Sequence, residues 1–221
     1  RGIINMSSRP RTSMSSPALA RVVELVVHRG TQRVLDGVSE TLCQGEVVAI
    51  MGENGSGKTT LIEAFAGLIP LRSGDVIWAE NGNSIVVRDS QGRRNQPPSM
   101  GLTLQKGGVC GDETVMERIS VSLSVAGIEH SDDQIMELLS LWGLEHRAND
   151  RLAHLSGGQS RRVAILGGLA PAALSNSPLV VLLDEPSEGL DDSAKDILRS
   201  WIRSLSSRNH VILMATHDKD I

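Results

Sequence analysis

Apolar positions follow two periods along this chain, and the switches between them predict its elements. Residues 21–27 form a β-branched run that predicts a strand, followed by a turn through Arg29, Gly30 and Thr31. Residues 46–51 are almost continuously apolar between Gly45 and Gly52, the pattern of a strand buried on both faces of a sheet. Glycines then lead into a helical stretch over 58–66. Residues 75–78 and 84–87 flank Asn81, Gly82 and Asn83, which predicts a small antiparallel hairpin. Further on, Val115, Ile119, Leu123 and Ala126 recur at helical spacing, as do Ile135, Leu138, Leu139 and Trp142, so a helical insert is expected, with a subdomain at about 106–160. A helix over 157–170, a buried strand over 179–183, an amphipathic helix over 192–205 with Ile197, Leu198, Trp201, Ile202 and Leu205 inward, and a strand over 211–215 complete the pattern. Strands alternating with helices predict an α/β fold with a mostly parallel sheet covered on both faces. No internal repeat is visible.

Composition narrows the class. The 221 residues are 40% apolar and 22% charged, ordinary for a globular chain of one domain, and the net charge of −4 gives no reason to expect nucleic acid as a partner. No apolar run reaches the length of a membrane span. Cys43 and Cys110 have neither CxxC nor Cys/His spacing, so reduced thiols are expected rather than a disulfide or zinc site. Residues 1–20 contain Arg1, Arg9 and Arg11, several serines and no acid, with neither period. A disordered tail is expected there, its composition also resembling an organelle transit peptide or an upstream remnant before Met6.

Gly52, Glu53, Asn54, Gly55, Ser56, Gly57, Lys58 and Thr59, with Thr60 behind them, match G-x-x-x-x-G-K-[ST] between a predicted buried strand and a predicted helix. Backbone N–H groups freed by the glycines, and the positive end of the helix, suit a phosphate. Lys58 would meet the β- and γ-phosphates, and the Thr59 hydroxyl would ligate Mg²⁺. Alone, this motif implies P-loop nucleotide binding, common to kinases, GTPases, helicases and transport ATPases. Asp184 and Glu185 close the buried strand over 179–183. Asp184 is placed near Mg²⁺ and Glu185 is placed to orient or deprotonate water, although two acids at a strand end are also compatible with a plain surface loop.

Leu155, Ser156, Gly157, Gly158 and Gln159, followed by Arg161 and Arg162, are similar to the signature motif of ABC ATPases. Other marks of that family follow in order: Gln105 resembles the Q-loop glutamine, Gly189, Leu190 and Asp191 the D-loop, and His217 the switch histidine. The resemblance covers residues 21–221. It implies a P-loop core with a small antiparallel β subdomain and a helical subdomain carrying the signature. It also implies ATP and Mg²⁺ as cofactors, Glu185, His217 and Gln105 as catalytic residues, and Thr59, Gln105 and Asp184 around the metal. Two subunits, identical or different, would pair head to tail so that each signature closes on the phosphate held by the other.

The chain departs from the family in three places. It has no tyrosine to stack on adenine, and His28 or Arg29 stands where the family places an aromatic residue. It stops four residues past His217, where the family continues, so a fragment is expected. Residues 149–154 lack the acidic, glycine-containing segment of exporters with fused membrane domains, which points to a separate transmembrane subunit and a peripheral location on the cytoplasmic face of a membrane. The leading expectation is therefore a transport motor docked to its membrane subunit near residues 105–112, and the alternative is a soluble ABC-type ATPase. A guanine-reading element, needed for a GTPase, is not seen.

Overall fold

A computed structural model describes residues 5–8, 16–80, 82–105 and 111–218. Two sheets share one body. The first contains β1 (Asn5–Ser8), β4 (Val47–Met51), β7 (Met100–Thr103), β8 (Val180–Asp184) and β9 (Val211–Ala215) in the order β1-β4-β9-β8-β7. β4, β9, β8 and β7 run parallel, and β1 joins the β4 edge antiparallel. The second sheet is antiparallel, in the order β3-β2-β5-β6, from β2 (Ala18–Arg29), β3 (Gln32–Cys43), β5 (Ser73–Glu80) and β6 (Asn83–Asp89).

Every residue of β8 and β9 is buried, and their side chains divide by the two-residue period. Val181, Leu183, Ile212 and Met214 join one apolar cluster with the helices α2 (Val115–Val125), α3 (Asp132–Leu141), α4 (Gly157–Leu174) and α5 (Asp192–Ser207). Val180, Leu182, Val211 and Leu213 join the other, with α1 (Lys58–Phe65) and the antiparallel sheet. Each such fully buried Val, Leu or Ile contributes about 1.5–3 kcal/mol, so the parallel sheet is fixed from both sides. That is why strands read as continuous apolar runs rather than alternating ones.

The helices start where their caps are. Thr114, Ser131 and Ser156 each close a capping box, with Glu117, Gln134 and Gln159, and Asp191 caps α5 through the Ala194 N–H; each cap is worth about 1 kcal/mol. α4 reaches four residues beyond the expected 170 and runs through Pro171, which lacks a helical N–H but whose carbonyl still accepts from the Ser175 N–H at 3.0 Å. α4 lies hard against β7. A Cβ on Gly101 would run into the Gly168 carbonyl, and one on Gly168 would run into Thr103 Oγ1.

Three expectations are corrected. The disordered tail over 1–20 does not hold for Asn5–Ser8, which is strand β1, nor for residues 18–20, which begin β2. The β4 edge offers backbone donors and acceptors, and pairing with them needs no side-chain periodicity. β3 and β7 went unpredicted: β3 alternates irregularly and carries Gly37, and β7 is only four residues long. The hairpin of β5 and β6 is therefore half of a four-stranded sheet. Cys43 ends β3 half-buried, with its N–H donating to Glu46 Oε2 at 2.9 Å. Cys110, Asn81 and the last three residues fall outside the described residues.

His210, 1% exposed, fastens the starts of β8 and β9. Its Nδ1 accepts from the Leu179 N–H at 3.0 Å, while the Val211 N–H donates to the Leu179 carbonyl at 3.0 Å. Burial, aided by the Arg208 charge, lowers its pKa from 6.5 to about 4. Protonation therefore favours the unfolded chain, so the contribution is whole above pH 6.5 and is lost as pH falls toward 4. Over that window the wild-type unfolding free energy should drop by up to ~3 kcal/mol more than that of a His210→Gln variant; equal slopes in urea titrations would show that the imidazole is not held neutral.

Candidate nucleotide site

The loop between β4 and α1 curls because Gly57 sits at φ 105 as the N-cap of α1, a conformation only glycine adopts freely. Lys58 follows as the first helical residue and turns back over the loop, donating from Nζ to the Gly52 carbonyl at 2.8 Å and the Glu53 carbonyl at 3.3 Å. Asn54, Gly55, Gly57, Lys58, Thr59 and Thr60 line a cavity of about 290 Å³, which Val34, Gln105 and Glu185 complete. Ser56 is not among the lining residues, and its buried hydroxyl has no partner among the described residues.

Parallel pairing brings the acids to the same edge. Asp184 of β8 pairs with Ala215 of β9, and the Glu185 N–H donates to the Ala215 carbonyl at 2.8 Å. Glu185 is buried at φ 47, in the left-handed region. Its Oε1 lies 3.5 Å from Lys58 Nζ, and its Oε2 lies 2.8 Å from His217 Nδ1 and accepts from the His217 N–H at 3.2 Å. Asp184 is fully buried, and among the described residues neither carboxylate oxygen meets the geometry of a hydrogen bond. Burial pushes its carboxyl above the ordinary carboxylate range. Thr59 and the Gln105 backbone beside it offset part of the rise, Glu185 adds to it, and Lys58 opposes it. A buried carboxylate with open lone pairs next to a threonine hydroxyl is a donor set that fits a hard divalent cation.

The other expected residues divide. Gln105 reaches the cavity, but its amide donates to Glu188 Oε2 at 3.0 Å, away from Asp184. His28 is exposed on β2 and does not line the cavity; Val34 of β3 does. Arg29 is taken up by an ion pair with Glu63 of α1. Ser156, Gly157 and Gly158 face solvent at the start of α4, and none of Leu155, Ser156, Gly157, Gly158 or Gln159 lines the cavity. Asp191 caps α5 and accepts from Arg162 Nη2 at 2.6 Å; the Ala194 N–H, then Arg162, hold its carboxyl below the usual range. Val34 and Glu188 were missed by sequence reasoning. Val34 sits on an unpredicted strand, and Glu188 looks like any acid in a turn.

A family model described as "ABC transporter" matches residues 35–188, which is most of the chain. The chain belongs to the ABC transporter family. The macrolide export ATP-binding/permease protein MacB of Psychrobacter cryohalolentis is 34% identical over 195 residues, covering 86% of this chain and 28% of that protein. The sulfate/thiosulfate import ATP-binding protein CysA of Bordetella pertussis is 34% identical over 199 residues, covering 86% of this chain and 52% of that protein. The chain thus spans about half or less of the length of these relatives. A solved ATP-binding subunit of an ABC transporter superposes with a TM-score of 0.73 at 25% identity, over 90% of this chain and 79% of that one. An ATP-binding cassette of an ABC transporter in its ADP conformation, 22% identical, shares the fold at a TM-score of 0.68, over 91% and 82%. The body described above is therefore that of an ABC transporter family member, with the β4–α1 loop, the buried acids and His217 at one sheet edge.

The burial of the Asp184 carboxylate, only partly offset by its neighbours, has a measurable consequence. Free of nucleotide and metal, an Asp184→Asn chain should unfold about 2–4 °C above wild type, the equivalent of about 1 kcal/mol for a chain of this size. It should also lose the Mg²⁺-dependent part of its stabilisation by ATP. A lower melting point in calorimetry would show that the carboxylate is already compensated.

Proposed function

We propose that this chain binds and hydrolyses Mg-ATP and powers transport by head-to-tail closure on a second ATP-binding subunit, beside a separate transmembrane subunit. The observation that carries the proposal is the Glu185 carboxylate suspended between Lys58 and His217 at the mouth of the phosphate cavity. Lys58 now spends its charge on Glu185 and on two loop carbonyls. An arriving polyphosphate offers it a stronger, charge-assisted set of acceptors. As Lys58 turns to the phosphates, Glu185 Oε1 is released while His217 keeps Oε2 in place, leaving one oxygen aimed to take a proton from attacking water. Thr59 and Asp184 would hold Mg²⁺, which supplies charge neutralisation on the phosphate oxygens. Gln105 would join them after leaving Glu188.

The signature supports the paired arrangement. Ser156 and two bare glycine N–H groups form a second anion-binding helix start, and it opens to solvent rather than to the chain's own cavity. A phosphate held by another subunit would reach it in the head-to-tail arrangement. Among the described residues no helix is long and apolar enough to cross a membrane, which is compatible with a peripheral place on the cytoplasmic face, anchored by a partner. The expected docking segment at 105–112 lies largely outside the described residues. Val34, the one aliphatic side chain among the residues lining the cavity, is read as an apolar contact for a bound nucleotide.

Glu185→Gln should lower kcat on the order of 10²–10⁴-fold with ATP binding retained, since the amide keeps the shape and loses the base. Turnover near wild type in a phosphate-release assay would remove Glu185 from this role. A mixing experiment tests the geometry. Combining Lys58→Ala chains with Ser156→Arg chains creates heterodimers in which one composite site carries both lesions and the other neither. ATP-dependent dimers should then appear by light scattering above the level of either variant alone; no gain on mixing contradicts the trans arrangement.

A further inference from the structure

Arg161 makes a contact that phosphate binding does not require. It lies five residues past Ser156 on α4, and its guanidinium donors go to backbone carbonyls of the turn after β8. Nη2 donates to the Glu185 carbonyl at 2.6 Å and to that of Asp184 at 3.2 Å, and Nε donates to that of Glu188 at 3.1 Å. The group is taken far enough from water that burial lowers its pKa, while the charges of Glu188, Asp184 and Glu185 oppose that loss.

Glu185 needs such support. At φ 47 it holds a left-handed backbone that a side chain with a Cβ adopts only where its surroundings impose it. The Glu185 N–H is fixed by the Ala215 carbonyl, and the Glu185 carbonyl accepts from both Arg161 and the Glu188 N–H, the latter at 3.1 Å. One planar, forked cation therefore spans both peptides beside Glu185 and the end of its turn. A lysine, with a single nitrogen, cannot span all three carbonyls. The neighbouring Arg162 links the same helix to the next segment, through Asp191 at the cap of α5.

We propose that Arg161 is a positioning residue for Glu185, tying the backbone of the catalytic carboxylate to the signature helix. Closure of the Ser156 end of α4 onto a partner's nucleotide and the aim of the same chain's Glu185 then become one movement. This rests on the reading of Glu185 as the base.

The test uses the full chain with Arg161→Gln, Arg161→Lys and, alongside, Glu185→Gln. Arg161→Gln should lower kcat on the order of 10–100-fold, the effect of a misaimed base, with Mg-ATP affinity by calorimetry unchanged. Arg161→Lys should recover part of the loss. If Arg161→Gln does not fold, the lysine variant carries the same test, with a kcat below wild type at unchanged affinity. A kcat within about twofold of wild type in both variants overturns the proposal, as does a loss of affinity in step with kcat, which marks a merely structural role. Near-wild-type turnover in Glu185→Gln removes the base assignment itself, a result distinct from any behaviour of Arg161.

Discussion

The parallel pairing of β4, β9 and β8 is the constraint from which the site follows. Ile50 and Asp184 both pair with Ala215, so three strands end at one level. Gly52, Glu185 and His217 each emerge a residue or two beyond that level. The register is held by burial on both faces: a slip of one residue would turn Leu183 and Met214 away from the helices and push Leu182 and Leu213 toward them, exchanging every partner at once. Loops that would be mobile by themselves thus meet because the strands beneath them cannot shift.

Charge is arranged at that edge in an unequal way. Glu185 has both oxygens occupied, by Lys58 and His217, whereas Asp184 one residue earlier has both oxygens buried with no well-formed hydrogen bond among the described residues. The first carboxylate is matched by a cation and a hydrogen-bonding imidazole; the second carries the larger cost of burial, and it is the one proposed to hold the cation. Removing such a charge from water is costly unless it is matched, so the proposed cation binding would also act on local stability. The same edge is tied to α4, whose two arginines reach the turns carrying Glu185 and Asp191. Close contact of α4 with β7 through Gly101 and Gly168 keeps that helix in register with the strand leading to Gln105.

The elements with an undiluted period were legible beforehand. β4, β8 and β9, α1 to α3 and α5 stand within a few residues of their expected bounds, because apolar runs and helical spacing reflect burial directly. The phosphate loop and the acid pair were legible as motifs, since a glycine-lined anion cradle needs a fixed local spacing. β1, β3 and β7 were not. β1 and β7 are four residues long and pair with edges supplied by distant segments, while the twelve-residue β3 folds back on β2 with an alternation broken by register shifts, so no clean two-residue period announces it.

The sequence by itself determined the α/β layering, the phosphate loop, the strand-end acids and the family resemblance, because each is encoded within a short stretch by periodicity or by local backbone chemistry. Only the tertiary structure decided that Lys58 and His217 share the Glu185 carboxylate, that Gln105 rests on Glu188, that Val34 rather than His28 lines the cavity, and that Arg161 reaches back to the turn of Glu185. These are contacts between residues up to 127 positions apart, such as Lys58 and Glu185. Their distances are set by strand register and helix packing, which no single segment contains.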